Sequence, residues 1–179
     1  MAKETQGYIM LIDDEDAILE SLGELLETLG FEVITANGYD NAKKIFDSVE
    51  VKRIDVIVSD LKMPGKSGVD VLHYVNEKKL RIPFIFLTGY GTLDTCQEAV
   101  REGAFDYVLK PIDNKDKILY PVMHAIEKHR LENKVKEMQK DIIHMAEEHQ
   151  KILENLLSDV EIKEQVQDKI SKILDKWNN

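Results

Sequence analysis

Cysteine is nearly absent: Cys96 stands alone among 179 residues. No disulfide can form within the chain, and a reducing compartment is expected. No apolar run approaches the roughly 20 residues of a membrane span, and residues 1–8 lack the apolar stretch of a signal peptide. A cytoplasmic location without membrane association is expected. Positive charge is short: 24 Lys and Arg face 34 Asp and Glu, a net charge of −10. That balance disfavours non-specific nucleic-acid binding, which rests on cations neutralising phosphates. Glycine and proline vanish after Pro121, so residues 122–179 are expected to be helical throughout, as a second region.

Short apolar runs alternating with helical patterns fill the rest. Strands are predicted at 8–12, 31–36, 54–58, 83–87 and 106–109. Helices are predicted between them, near 18–29, 39–49, 69–78 and 93–102, with another starting near Asp113 as its N-cap. Strands that are apolar throughout, alternating with helices, indicate an α/β fold whose parallel sheet is covered on both faces. Ligands of such sheets sit beyond the carboxyl ends of the strands.

Polar residues collect at those ends. Asp13 and Asp14 follow the first predicted strand, Asp60 the third, Thr88 the fourth and Lys110 the fifth. Three carboxylates in one cleft call for a cation, and a small set of oxygen ligands suits Mg²⁺. A carboxylate is also a nucleophile able to hold a phosphoryl group as an acyl phosphate. Lys110 and the Thr88 hydroxyl would stabilise the developing charge. Taken singly, each residue has an ordinary explanation as a turn residue, a helix cap or a solvated lysine. Their common edge is what argues for a site.

The segments 11–16 (Leu-Ile-Asp-Asp-Glu-Asp), 58–65 (Val-Ser-Asp-Leu-Lys-Met-Pro-Gly), 87–91 (Leu-Thr-Gly-Tyr-Gly) and 105–111 (Phe-Asp-Tyr-Val-Leu-Lys-Pro) resemble those of bacterial two-component response-regulator receiver domains. The resemblance covers about residues 7–127. It implies a flavodoxin-like five-stranded parallel sheet of order 2-1-3-4-5, with residues 1–127 as receiver; the Gly- and Pro-free composition makes 128–179 a helical dimerisation or signalling region. The resemblance implies phosphotransfer to Asp60 from a sensor histidine kinase or phosphotransfer protein, without enzymatic turnover by the chain itself. Mg²⁺ would be held by Asp14 and Asp60, by Asp13 through a water, and by the Lys62 carbonyl. Lys110 would pair with phosphoryl oxygens, and a cis peptide would precede Pro111. Thr88 and Tyr107 would form the switch pair that alters the surface of the fourth helix, fifth strand and fifth helix. Lys62 and Tyr90 would tune dephosphorylation, giving a comparatively long-lived aspartyl phosphate. Asp14-Glu-Asp16 also resembles the Asp-x-Asp of haloacid-dehalogenase-type phosphatases, but Asp60 and Lys110-Pro111 fit the receiver better. Steady turnover of a phosphate ester would separate the two.

In the second region a heptad seam runs through Leu131, Val135, Met138, Ile142, Met145, His149, Ile152, Leu156, Asp159, Lys163, Val166, Ile170, Ile173 and Trp177. Such a seam indicates a coiled coil or helical bundle, either a dimerising or partner-binding element, with a homodimer expected, or a signalling linker to an effector domain. Apolar Ala146, Leu153, Val160 and Leu174 widen the stripe. The sequence 158–161 (Ser-Asp-Val-Glu) reads as a capping box. One unbroken helix and a helical hairpin therefore both stand. His124 and His129, like His144 and His149, are five apart, unlike the i, i+4 pair of a helical zinc site. His149 reads chiefly as a register-setting polar seam residue. No Gly-containing helix-turn-helix pattern appears, so no nucleic-acid output is expected within this chain.

Overall fold

The computed structural model describes residues 5–89 and 101–177. The predicted helix at 93–102, apart from its last two residues, lies outside them, as do Cys96 and Tyr90. The described elements are β1 (Tyr8–Asp13), α1 (Asp16–Thr28), β2 (Glu32–Asn37), α2 (Gly38–Phe46), a 3-10 turn (Val49–Arg53), β3 (Val56–Asp60), α3 (Gly68–Glu77), β4 (Phe84–Thr88), β5 (Asp106–Leu109) and α4 (Asp116–Trp177). The chain forms two compact units, Met1–Glu132 and Asn133–Asn179. Among the described residues no helix is long and apolar enough to cross a membrane.

The sheet has the order β2-β1-β3-β4-β5, all pairs parallel. Its alternation sorts the core into two layers, because successive side chains leave a strand on opposite faces. Met10, Ile12, Ile57, Phe84 and Phe86 pack with α2 and α3 residues such as Phe46, Leu72 and Val75. Ile9, Leu11, Val56, Val58, Ile85 and Leu87 pack on the other face with Leu22 and Leu26 of α1 and Ile118, Val122 and Ile126 of α4. Burying a side chain of this kind stabilises by roughly 1.5–3 kcal/mol. The first turns of α4 therefore belong to the receiver unit, and the Arg130 guanidinium adds a 3.2 Å bond to the Asp55 carboxylate.

Several boundaries differ from the sequence reading. The second predicted helix stops at Phe46, because the Ser48 hydroxyl donates to the Ile45 carbonyl (2.8 Å) and accepts from the Glu50 N–H (3.2 Å). This local bonding competes with the helix. Ile54 closes the 3-10 turn instead of starting a strand, with its N–H on the Val51 carbonyl at 3.2 Å. The strands run on at the other end, so that Asp13, Asp60 and Thr88 are the last residues of β1, β3 and β4 rather than the residues after them. The last helix starts at Asp116, not Asp113, and Asn114 Oδ1 accepts the Asp116 N–H at 3.0 Å. At its other end α4 is continuous to Trp177, so the break considered at Ser158 does not occur.

Ser67 and Asp70 form a reciprocal capping box at the start of α3. The Ser67 hydroxyl accepts the Asp70 N–H at 3.3 Å, and Asp70 Oδ2 accepts the Ser67 N–H at 2.8 Å. These bonds, led by the Ser67 backbone, hold the Asp70 carboxyl below its ordinary value. Ser67→Ala is expected to cost about 1 kcal/mol, read as a lower urea midpoint at unchanged slope. Asp70's contribution is present above the ordinary carboxylate pKa and lost as pH falls through the lowered one.

Candidate functional site

The strand ends bring the polar residues together. Asp13 is 1% exposed and Asp60 8%, each at the end of a central strand. Lys110, just past β5, bridges them: its Nζ lies 2.8 Å from Asp13 Oδ2 and 2.6 Å from Asp60 Oδ1. The Lys62 N–H donates to Asp60 Oδ2 at 2.6 Å, and the Glu15 N–H donates to Asp13 Oδ1 at 3.0 Å. Lys110 is itself set by the sheet, since its N–H bonds the Thr88 carbonyl at 2.8 Å. The Lys110–Pro111 peptide is cis.

Beside this cluster lies a cleft of about 190 Å³ lined by Glu15, Asp60, Lys62, Thr88, Gly89 and Lys110. Burial pushes the Asp60 carboxyl above its ordinary value, against the opposing pull of Lys110 and of the Lys62 N–H. Burial also draws the Lys110 ammonium down, but its bonds to Asp13 and Asp60 outweigh this and hold it above the usual lysine value. The pair is thus an ion pair whose carboxylate is poorly solvated, as a nucleophile needs.

A stability consequence follows from the Asp60 shift. Below the unfolded-state pKa the carboxyl is protonated in both states and contributes nothing. Between the unfolded value and the raised folded value the folded chain binds the extra proton, so stability falls as pH rises through that window. Asp60→Asn removes the titrating group. The stability difference between the Asn variant and the parent is therefore expected to move in the variant's favour across that window, measured by urea unfolding at a series of pH values. A pH-independent difference would contradict the burial account.

The other expected site residues divide. Thr88 is 3% exposed and, like Lys62, borders the cleft. Tyr107 is half-buried on β5, opposite Phe86 in register, and packs against the α2–α3 core layer. Asp14 is half-buried after β1, and its backbone carbonyl receives Asn37 Nδ2 at 3.5 Å. Among the described residues no three carboxylate, His or Cys groups stand close enough to hold a metal. Lys110, not a third carboxylate, balances Asp13 and Asp60. The donor chemistry still fits a hard divalent cation: oxygen atoms only, one or two carboxylates, and room for retained waters.

Two further residues support the site and escaped the sequence reading. Gly68, the first residue of α3, lies directly beneath the Asp60 backbone carbonyl, where a Cβ would collide with it and stand 3.0 Å from Phe86 Cε1. The available signal was glycine at a helix start between Ser67 and Val69, a poor choice for a helix unless something packs closely. Glu15 lines the cleft, and its signal was only its place beside Asp14.

The family described as the response regulator receiver domain matches residues 9–120. The regulatory protein AtoC of Escherichia coli is 33% identical over 137 residues, 76% of this chain but 27% of AtoC. The transcriptional regulatory protein FixJ of Bradyrhizobium diazoefficiens is 32% identical over 122 residues, 68% of this chain and 58% of FixJ. The chain thus spans only part of the length of these relatives. Among solved structures, a response regulator receiver domain protein of Clostridium thermocellum shares 37% identity at a TM-score of 0.65, covering 70% of this chain and 98% of that one. A structure described as an adenylate cyclase from Rhodopirellula baltica shares 29% identity at a TM-score of 0.66, covering 76% and 98%.

Proposed function

The chain belongs to the response regulator receiver family, and from that premise we propose that Asp60 accepts a phosphoryl group from the phosphohistidine of a sensor kinase or phosphotransfer protein. The observation that carries this reading is the buried Asp60 carboxylate held by Lys110 at 2.6 Å at the end of a central parallel strand. An Asp60 oxygen forms the new P–O bond while the P–N bond to histidine breaks, and the leaving imidazole takes a proton. Lys110 neutralises charge on the transferred group, and the Thr88 hydroxyl offers it a further donor. Mg²⁺ bound by Asp13, Asp14, Asp60 and the Lys62 carbonyl would supply the remaining charge neutralisation. Lys62 and Tyr90 are the proposed modulators of dephosphorylation, and Thr88 and Tyr107 the proposed switch pair. An apolar hollow of about 520 Å³ beside the cleft, lined by Ile18, Leu22, Leu25, Pro111 and Ile112, offers the phosphodonor a foothold. The chain acts as phosphoacceptor rather than as an enzyme, and a cytoplasmic location goes with that role. Phosphorylation by acetyl phosphate, read by intact mass with and without Mg²⁺, tests the reading. Absence of a phosphoryl mass increment with Mg²⁺ would sink it.

Residues 1–127 are assigned to the receiver and 128–179 to a helical homodimerisation and signalling region. The compact units divide slightly later, at Glu132 and Asn133, because His129 and Arg130 still lie against the receiver. What supports dimerisation is the seam on α4. Val135, Met138, Ile142, Met145, Ile152, Val166 and Ile170 are each at least half exposed, and a second helix would bury them as a and d positions. Sedimentation equilibrium is expected to give a dimer at tens of micromolar, an ordinary concentration for weak complexes, and a monomer for the Ile142→Glu/Ile152→Glu double variant. A monomeric parent chain at that concentration would refute the dimer.

A further inference from the structure

Arg81, on the connection from α3 to β4, has φ of +55°. This is left-handed backbone that side chains with a Cβ rarely adopt, at a cost on the order of 1–2 kcal/mol. Its neighbour Lys79, with φ of +56°, has a local reason. The Lys79 N–H bonds the Asn76 carbonyl at 3.0 Å and the Leu80 N–H bonds that of Val75 at 3.2 Å, the bonding of a helix C-terminus. Arg81 closes no helix. Among the described residues its guanidinium has no hydrogen bond and no carboxylate partner. Strain of this kind without a local reason is grounds for asking what the side chain does.

Arg81 lines a polar cleft of about 410 Å³ at the N-terminal edge of β4 and β5, the end of the sheet opposite Asp60. That volume falls within the roughly 300–1,000 Å³ of small-molecule sites. The floor includes Phe84 and Phe105, and Asn76 adds an amide. The opposite wall is α4. Its Lys128 Nζ lies 5.0 Å from the Phe105 ring centroid, and His124 stands edge-on to the same ring at 5.2 Å. Among the described residues the lining carboxylate is Glu132, 4.0 Å from Lys128, too far for a strong bond. In a chain of net charge −10, Arg81 and Lys128 against a single carboxylate among the described lining residues make a local reversal of sign.

We propose that this cleft binds a small organic anion, its carboxylate or phosphate held between Arg81 and Lys128 and its apolar part against the Phe105 ring. A guanidinium presents a fork that fits either oxyanion bidentately, and Lys128 exchanges its long contact with Glu132 for a direct one. The bound anion ties the α3–β4 connection to α4 within the receiver unit. The site goes beyond the phosphoacceptor reading and does not depend on it.

Amide chemical shifts of the full chain, titrated without Mg²⁺, test this with citrate as the carboxylate probe and inorganic phosphate as the phosphate probe. Saturable shifts are expected at Arg81, Ala104, Phe105 and Lys128 for at least one probe, with Kd near or below about 1 mM, and the probe that saturates names the oxyanion. Arg81→Gly keeps the left-handed backbone without its strain, so loss of fold cannot explain its phenotype. It is expected to weaken binding at least about tenfold, and Lys128→Ala similarly, since each removes one charged partner. No saturable shift at these residues with either probe up to roughly 10 mM, or unchanged affinity in Arg81→Gly, would overturn the proposal.

Discussion

Asp60→Asn is expected to lose phosphoryl incorporation completely while remaining folded. The substituted side chain keeps the size of the original and can still accept from the Lys62 N–H, which lies 2.6 Å from Asp60 Oδ2. What it loses is the anionic oxygen, and a neutral amide is no nucleophile toward phosphorus. Neighbouring carboxylates do not take over. Asp13 is 1% exposed, with one oxygen on Lys110 and the other on the Glu15 N–H. Incubation with acetyl phosphate and Mg²⁺ followed by intact-mass measurement reads the outcome directly. A phosphoryl mass increment on Asp60→Asn would move the acceptor elsewhere. Incorporation into the parent chain that survives EDTA would remove the metal from the scheme.

Gly68→Ala is expected to destabilise by about 1–3 kcal/mol, the cost of overpacking a close contact. Alanine is ordinarily the better helix residue, by about 1 kcal/mol. Here the added methyl meets the Asp60 backbone carbonyl and the Phe86 ring. A backbone carbonyl in a central strand has little freedom to move aside, so the collision outweighs the propensity gain. Any adjustment that does occur displaces Asp60, so the rate of phosphoryl incorporation is expected to fall as well. Gly23 is the internal contrast. It is buried in α1, with nothing within 4 Å of where its Cβ would stand. Gly23→Ala is expected to be neutral or to stabilise by up to about 1 kcal/mol. Urea midpoints at constant slope compare the two variants. Equal stability changes of the same sign would show that helix propensity, not the Asp60 contact, governs Gly68.

The candidate site residues were legible because each stands at a place that periodicity marks. The run from Ile9 to Ile12 is apolar on every residue, as a strand covered on both faces must be, and Asp13 breaks it. The same reasoning found Asp60, Thr88 and Lys110. Where local bonding competes with the pattern, the reading slipped. Ser48 ended α2 early, the 3-10 turn took Ile54 from β3, and Asn114 rather than Asp113 capped α4.

By itself the sequence determined that this is a parallel α/β sheet with carboxylates, a hydroxyl and a lysine at its strand ends, because alternation of apolar runs and turn residues is a local property. It also determined that the C-terminal stretch is helical, because nothing from residue 122 onward breaks a helix. Only the tertiary structure decided which charges meet. Lys110 and Asp13 are 97 residues apart in sequence and 2.8 Å apart in space, a distance set by the packing of β5 beside β4 and of β3 between β4 and β1. It alone decided that Gly68 must be glycine, since the colliding carbonyl comes from another element. It alone drew Arg81, Phe105 and Lys128 around one cleft at the far edge of the sheet. Contacts between segments distant along the chain depend on topology and register, and neither leaves a local mark in the order of residues.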